Sequence, residues 1–153
     1  MRISFYKWLY LTIGLRKRGQ GIRESGAFLI GKIGSTKISK IIFYDELDPN
    51  VFKSGIIEFD GLGHGKLAEM LKDFKGEVLA DIHTHPIGFS TKQSDSDKAH
   101  PMVRLKGHVA FIAPDYALNK FLMPKGCSAY LYEGSYKWRT LDNRDFPLKI
   151  VLI

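Results

Sequence analysis

Near the start of the chain, apolar side chains recur at helical spacing. Trp8, Leu9, Leu11, Thr12 and Leu15 fit one stripe of a helix running from about Tyr6 to Arg18, after a strand at residues 2–5. Arg16, Lys17 and Arg18 suit the negative end of its dipole, and Gly19 suits its C-cap. The period then shortens to two. Ser25 to Gly34 and Thr36 to Tyr44 read as strands joined by the turn-prone pair Gly34-Ser35. Asp45 to Lys53, with Asp48-Pro49-Asn50, reads as loop, and Ile56 to Phe59 as a short strand. Leu67, Met70, Leu71 and Phe74 return to three- and four-residue steps, which predicts a helix from Gly65 to Phe74, ended by Gly76; His64 falls in the loop before it.

Val78 to His83 is a mostly apolar run of the kind that fills a central strand. A polar loop, Pro86 to Gln93, leads into a short helix that Pro101 must end. Strands follow at His108–Ala113, Ser128–Tyr132, Tyr136–Leu141 and Leu148–Ile153. The order β-α-β-β-β-α-β-α-β-β predicts a mixed sheet with helices packed on it, in the α+β or α/β class, as one domain over residues 1–153.

Composition narrows the possibilities. A hydrophobic fraction of 44% and a charged fraction of 25% exclude a disordered chain. The apolar stretch Trp8 to Leu15 is far shorter than the ~20 residues of a membrane helix. Arg16-Lys17-Arg18 stands where a signal peptide would need small residues. The expectation is a cytoplasmic protein with no membrane partner. One cysteine, Cys127, agrees, since one thiol makes no internal disulfide. A net charge of +7 favours acidic partners, but the cations lack the basic–aromatic interleaving of a nucleic-acid track.

The densest chemistry lies in His83-Thr84-His85-Pro86, followed by Ser94-Asp95-Ser96-Asp97. On a strand end, positions i and i+2 share a face, so His83 and His85 aim at one point. Pro86 then turns the chain away, and Asp97 at a helix start is placed to return. Two imidazoles and a carboxylate suit catalytic zinc with its fourth position open, where bound water becomes a nucleophile near neutral pH. A non-ligating carboxylate must then shuttle the proton. A His-x-His pair alone is a weak signal, and Ser94-x-x-Asp97 alone is a helix capping box. The two together, after an apolar strand, are far more specific.

These segments resemble the JAMM (MPN-plus, or JAB) metallopeptidases, which carry His-x-His-Pro, then Ser-x-x-Asp, and an upstream glutamate in a Glu-x-Gly-Gly-x-Leu-x-Gly context. Here Glu24-Ser25-Gly26-Ala27-Phe28-Leu29-Ile30-Gly31 stands in the matching place, and the resemblance spans roughly residues 5–140. It implies the JAB1/MPN (cytidine deaminase-like) fold, with zinc (Zn2+) held by His83, His85 and Asp97. It also implies Glu24 as general base and acid, and Ser94 as the hydroxyl that stabilises the oxyanion. The glycines beside Glu24 are expected to let the backbone pack close to the metal. Two departures stand out. Eight residues, not the usual seven, separate His85 from Ser94, which leaves Asp95 as a competitor for Asp97; the Ser-x-x-Asp spacing favours Asp97. Ala27 replaces the second glycine.

Asp97-Lys98-Ala99-His100-Pro101-Met102 and Gly107-His108-Val109-Ala110-Phe111 look similar to bacterial JAB proteins of the branch found beside ubiquitin-like, E1-like and E2-like proteins in antiphage systems. That resemblance implies hydrolysis of an isopeptide or peptide bond after the C-terminal tail of a ubiquitin-like protein. The E1-like and E2-like proteins are implied as further partners. Segments Asp45–Gly55 and Asp115–Gly126 are the expected groove walls. His100 and His108 read either as structural or as groups that orient ligands. Cys127 reads as a small, semi-buried residue starting a strand, not a nucleophile. Competing readings are a metal-free MPN-type binding scaffold and a small-molecule or sulfur-carrier amidase on the same fold. Nucleic-acid binding ranks last.

Overall fold

The apolar run around Val78–His83 becomes the middle of the molecule, strand β4 (Gly76–Thr84). The computed structural model describes residues 1–54, 57, 59, 61–119 and 122–152. In chain order its elements begin with β1 (Arg2–Ser4), α1 (Phe5–Gly19), β2 (Gly26–Lys32) and β3 (Lys40–Phe43). Next come α2 (Tyr44–Leu47), α3 (Gly61–Phe74), β4, α4 (Asp95–Ala99) and β5 (Val109–Ala113). The chain closes with β6 (Ser128–Gly134), β7 (Lys137–Leu141) and β8 (Lys149–Val151). Six strands form a mixed sheet in the order β3-β2-β4-β5-β6-β7, in which β4 and β5 are the parallel pair and every other neighbour is antiparallel. β1 and β8 pair in parallel as a separate ribbon.

Each face of the sheet has its own cover. Trp8, Leu11 and Leu15 of α1 pack on Ala27, Leu29, Phe43, Ala80, Ile82 and Phe111. The Trp8 indole N–H donates to the Leu122 carbonyl at 2.7 Å, so its burial leaves no orphaned donor. On the opposite face, Phe28, Ile30, Ile42 and Tyr44 pack with Leu47 of α2 and Leu67 of α3. Fully burying a side chain such as Phe28 or Leu11 stabilises the fold by ~1.5–3 kcal/mol each. Over β5–β7 that second face is covered by the long crossover from β4 to β5: Tyr130 Oη donates to the Thr91 carbonyl (2.8 Å), and Trp138 Nε1 to the Lys98 carbonyl (3.3 Å).

A bulge in β4 sets which side chains reach this second face. Leu29 pairs with Ala80 but Ile30 pairs with Val78, so Leu79 is the extra residue. Val78, Asp81 and His83 therefore share the face with Ile30 and Phe28, while Ala80 and Ile82 point to α1. Bulges of this kind re-aim side chains next to functional sites.

Several expectations need correction. The stretch Thr36–Tyr44 joins the main sheet only from Lys40; before it, Lys37 bridges to Arg2 of β1. Tyr44–Leu47, expected as the strand end and start of a loop, is helical because Glu46 reaches back to the Phe43 N–H at 2.6 Å. His64 lies inside α3, its ring edge-on to Phe59. α1 closes one residue beyond the expected cap, with Gln20 and Gly21 taking the left-handed conformation. Leu9, expected on the buried stripe, faces outward. The strand expected at Ile56–Phe59 falls largely outside the described residues, as does Ile153. No described helix is long and apolar enough to cross a membrane.

Candidate metal centre

His83 and His85 stand at the end of β4, where backbone hydrogen bonds from both neighbouring strands fix the chain. Gly26 is in register with His83. Just beyond, Ser25 N–H donates to Thr84 Oγ1 (3.0 Å) and Thr84 N–H to the Ser25 carbonyl (2.9 Å). The central residue of His-Thr-His thus clamps the segment carrying Glu24 against the two histidines. On the other side, His85 N–H donates to the Ala113 carbonyl at 2.9 Å. Gly26 is required for a different reason than expected. A Cβ there would sit 2.3 Å from Tyr44 Cε2 and 2.9 Å from the Ile82 carbonyl, so its close approach is to an aromatic ring.

Three donors converge. His83 Nε2 and His85 Nε2 are 3.2 Å apart. One Asp97 oxygen lies 3.3 Å from His83 Nε2, and the other 3.2 Å from His85 Nε2. Around a tetrahedral ion with bonds of about 2.0 Å, neighbouring donors stand roughly 3.3 Å apart. The His85 ring is held by a 2.8 Å contact from Nδ1 to the Ser90 carbonyl. With the proton assigned to Nδ1 for that bond, Nε2 is left as a lone pair aimed at the cluster. A cation resolves such a meeting of lone pairs, and the N,N,O donor set fits a divalent transition metal.

Asp97 is delivered by the first turn of α4. Ser94 Oγ accepts from Asp97 N–H (3.1 Å), and Asp97 accepts from Ser94 N–H (2.7 Å), a reciprocal capping box that aims the carboxylate inward. Asp95, the competitor raised by the longer loop, points to solvent beside Lys98. The loop before it makes a turn closed by Phe89 N–H on the Pro86 carbonyl, with Gly88 at a positive φ of 75°.

Glu24, Ser94 and the three donors all line one pocket of about 320 Å³, together with Tyr44, Asp81, Phe89, Met102 and Trp138. Burial pushes the Glu24 carboxyl above its ordinary range, against the downward pull of His83 and His85. Burial also opposes ionisation of Asp97, yet hydrogen bonds and charge from His83 and His85 hold its carboxyl well below the usual carboxylate range. At His85 burial pulls down, but the Asp97 hydrogen bond, the Ser90 carbonyl and the charges of Asp97 and Glu24 bring the pKa above its ordinary value. A half-buried carboxyl whose protonated form is favoured, beside one whose ionised form is favoured, is an arrangement for proton transfer next to a cation.

Behind the metal cluster lies an assembly absent from the sequence-based reading. Asp81 is buried on the same face as His83, two residues before it. One of its oxygens meets His108 Nε2 at 2.5 Å, and the other accepts from Tyr44 Oη at 3.2 Å. His108 therefore orients Asp81 rather than a metal-facing residue. The signal was legible: a carboxylate in the middle of an apolar central strand needs partners. His100 closes α4, its Nδ1 3.1 Å from the Ser96 carbonyl.

The expected groove walls are not the walls. None of the described residues of Asp45–Gly55 or Asp115–Gly126 lines the pocket; besides Glu24, Asp81, His83 and Ala110, those that do come from the crossover, Tyr44, Ile57 and Trp138. Residues Asp115–Ala117 instead pack against the start of the crossover, where Tyr116 N–H donates to the His85 carbonyl (2.9 Å) and Asp115 accepts from Gly88 N–H (3.0 Å). The Cys127 thiol is buried and pushed up to about 12 by that burial, which keeps it protonated and inert.

No family model matches the chain. Among solved structures, it superposes on AF2198, a JAB1/MPN domain protein from Archaeoglobus fulgidus, with a TM-score of 0.50 at 16% identity, covering 99% of each chain. The fold is that of a JAB1/MPN domain. Two further solved structures are similar to this chain in fold. Protein DSY2949 from Desulfitobacterium hafniense gives a TM-score of 0.65 at 12% identity, covering 99% of this chain and 93% of its own. A protein from Salinibacter ruber gives 0.57 at 13%, covering 93% and 89%. In this chain the JAB1/MPN sheet places His83, His85 and Asp97 where together they can hold a metal ion.

Proposed function

We propose that the protein is a JAMM-type zinc peptidase that cleaves a peptide or isopeptide bond after the C-terminal tail of a ubiquitin-like protein. The observation that carries this reading is the convergence of His83, His85 and Asp97 on one point, with a half-buried glutamate in the same pocket. Zinc in that trio would supply the Lewis acidity that makes a water nucleophilic at neutral pH. Glu24 takes a proton from the water as its oxygen attacks the scissile carbonyl carbon, and returns a proton to the nitrogen as the C–N bond breaks. The products are a carboxylate-ended tail and an amine. Ser94 offers its hydroxyl to the carbonyl oxygen as charge gathers there. The likeness to the JAB branch beside ubiquitin-like, E1-like and E2-like proteins supports the choice of substrate.

Replacing Glu24 with Gln tests the assignment. Zinc content, measured by elemental analysis, should stay at one equivalent per chain. Cleavage of a ubiquitin-like fusion should fall by ~10²–10⁴, the usual worth of a positioned acid–base group. Near-wild-type turnover in that variant would remove Glu24 from the reaction. Faster turnover of short acyl amides than of the fusion would instead select the small-molecule reading.

A further inference from the structure

Helix α1 is apolar on both sides. Trp8, Leu11 and Leu15 enter the core, but Phe5, Tyr6, Leu9, Tyr10 and Ile13 look outward with exposures of 43%, 76%, 39%, 57% and 37%. At 100° per residue these five occupy the side of the helix opposite Trp8 and Leu15, interrupted by no acidic residue. Lys17 follows on the same side, four residues after Ile13. The whole helix, FYKWLYLTIGLRKRG, holds four cations and no anion. Arg2, Lys7 and Lys17 form no ion pair among the described residues.

We infer that this face of α1 docks the protein onto an anionic lipid surface, helix axis parallel to the membrane plane. Two observations select that occupant. The first is charge. A second copy packed antiparallel on the same helix would set the basic last turn of each against the other's first turn, which holds no acidic residue to receive it. Anionic headgroups instead pair with Lys17, which is exposed on the same side of the helix as the apolar stripe. The second is area. At about 200 Å² for a whole aromatic side chain, Phe5, Tyr6 and Tyr10 together expose roughly 350 Å². With Leu9 and Ile13 the stripe reaches on the order of 500 Å², short of the ~800 Å² per partner of a stable protein interface. A bilayer sets no such minimum: an apolar helix face rimmed by lysine and rich in aromatic side chains sinks into the headgroup boundary by itself.

Geometry gives this docking a consequence. α1 covers one face of the sheet, and the metal pocket opens on the other. A protein lying on α1 therefore presents its pocket away from the lipid. The inference departs from the sequence-based expectation of a chain with no membrane partner, and it stands whether or not the chain is a peptidase.

Co-sedimentation with vesicles tests it, using the intact chain. Vesicles of phosphatidylcholine alone are compared with vesicles in which a third of the lipid is phosphatidylglycerol, at low and high salt. The chain should pellet with the anionic vesicles, and less so as salt screens the cations. Tyr6→Glu combined with Tyr10→Glu should lower partitioning by at least about tenfold. Lys17→Glu should lower it by at least about fivefold, the factor that corresponds to ~1 kcal/mol per basic residue near the surface. Tyr10 also packs edge-on against buried Phe43, with ring centroids 5.6 Å apart, so Tyr6→Glu alone, which should lower partitioning at an unchanged melting temperature, separates lost docking from lost folding. Equal binding to neutral vesicles overturns the inference, as does binding indifferent to the α1 variants. A chain that stays in the supernatant overturns it too, whether light scattering then shows a monomer or a dimer built on α1.

Discussion

Two histidine–aspartate assemblies lie side by side on one face of β4, and they solve the same problem in opposite ways. In the inner one, His108 and Tyr44 each bring a hydrogen to Asp81, so every polar atom has a protein partner and the group is closed. In the outer one, His83, His85 and Asp97 bring acceptor atoms together, and the Ser90 carbonyl takes the His85 Nδ1 proton to the far side of its ring. Composition does not distinguish them. The number of hydrogens does: protons glue the inner assembly, while the outer one is satisfied best by a cation. Distance to solvent follows the same division. The inner pair is almost fully buried, although Asp81 borders the pocket, and Asp97 is the more exposed carboxylate.

The largest effect should come from deleting the carboxylate in each assembly. Asp97→Ala removes one of three donors, so zinc equivalents per chain should fall toward zero while the fold persists, because the cap and carboxylate it loses sit near the surface. Asp81→Ala should do the converse. Two buried donors lose their acceptor, which costs ~2–5 kcal/mol of stability in a denaturant titration, while zinc is retained in the folded fraction. Zinc lost in both, or stability lost in both, would merge the two assemblies into one network and remove the distinction drawn above.

A smaller, graded effect separates them by pH. A metal ligand must shed its proton, so zinc competes with hydrogen ion at each imidazole. The pKa of His85 is raised, so in the metal-free protein the imidazolium persists to higher pH than an ordinary histidine. The sign follows directly. Zinc affinity is full above the raised pKa and should weaken by about tenfold for each pH unit below it. That decline should begin above the ordinary histidine value of ~6.5. Asp97 remains ionised throughout this range and adds nothing to the slope. Chelator competition between mildly alkaline and mildly acidic buffer measures it. A curve that stays flat until below the ordinary histidine range would mean that Asp97 and Ser90 do not hold the His85 proton in the free protein.

The outer assembly was legible in the chain because its elements are local. His83 and His85 share a strand end, and Ser94 and Asp97 share a helical turn, so short-range periodicity reports both. The extra loop residue cast doubt on Asp97 only because spacing cannot see that Asp95 points to solvent while the capping box turns Asp97 inward. The inner assembly was illegible as a unit: Tyr44, Asp81 and His108 come from three elements, 37 and 27 residues apart, joined only by the sheet. The same limit explains the misplaced groove walls. Periodicity said where loops lie along the chain, but the parallel β4–β5 pairing decides that the crossover, rather than the segments after β3 and β5, folds over the metal. Leu9 was misplaced for another reason. A helix apolar all round carries no periodic mark of which side is buried, and only packing against Phe43, Ile82 and Phe111 selects Trp8 and Leu15.

Tyr44→Phe should give the smallest effect and the most discriminating one. The tyrosine does two things: its ring packs over Gly26, beside the segment that carries Glu24, and its hydroxyl donates to Asp81. Phenylalanine keeps the ring and deletes only the hydrogen bond. If the inner assembly is a structural clamp, stability falls by ~1 kcal/mol, the net worth of one such bond with its partner left buried. Zinc affinity and turnover then stay within a few-fold of wild type, because Gly26, Ser25 and Thr84 still hold Glu24 in place. A much larger loss of turnover at unchanged zinc content would mean that the hydroxyl reaches into the pocket's chemistry. The boundary between the closed and the open assembly would then lie at Asp81, not behind it.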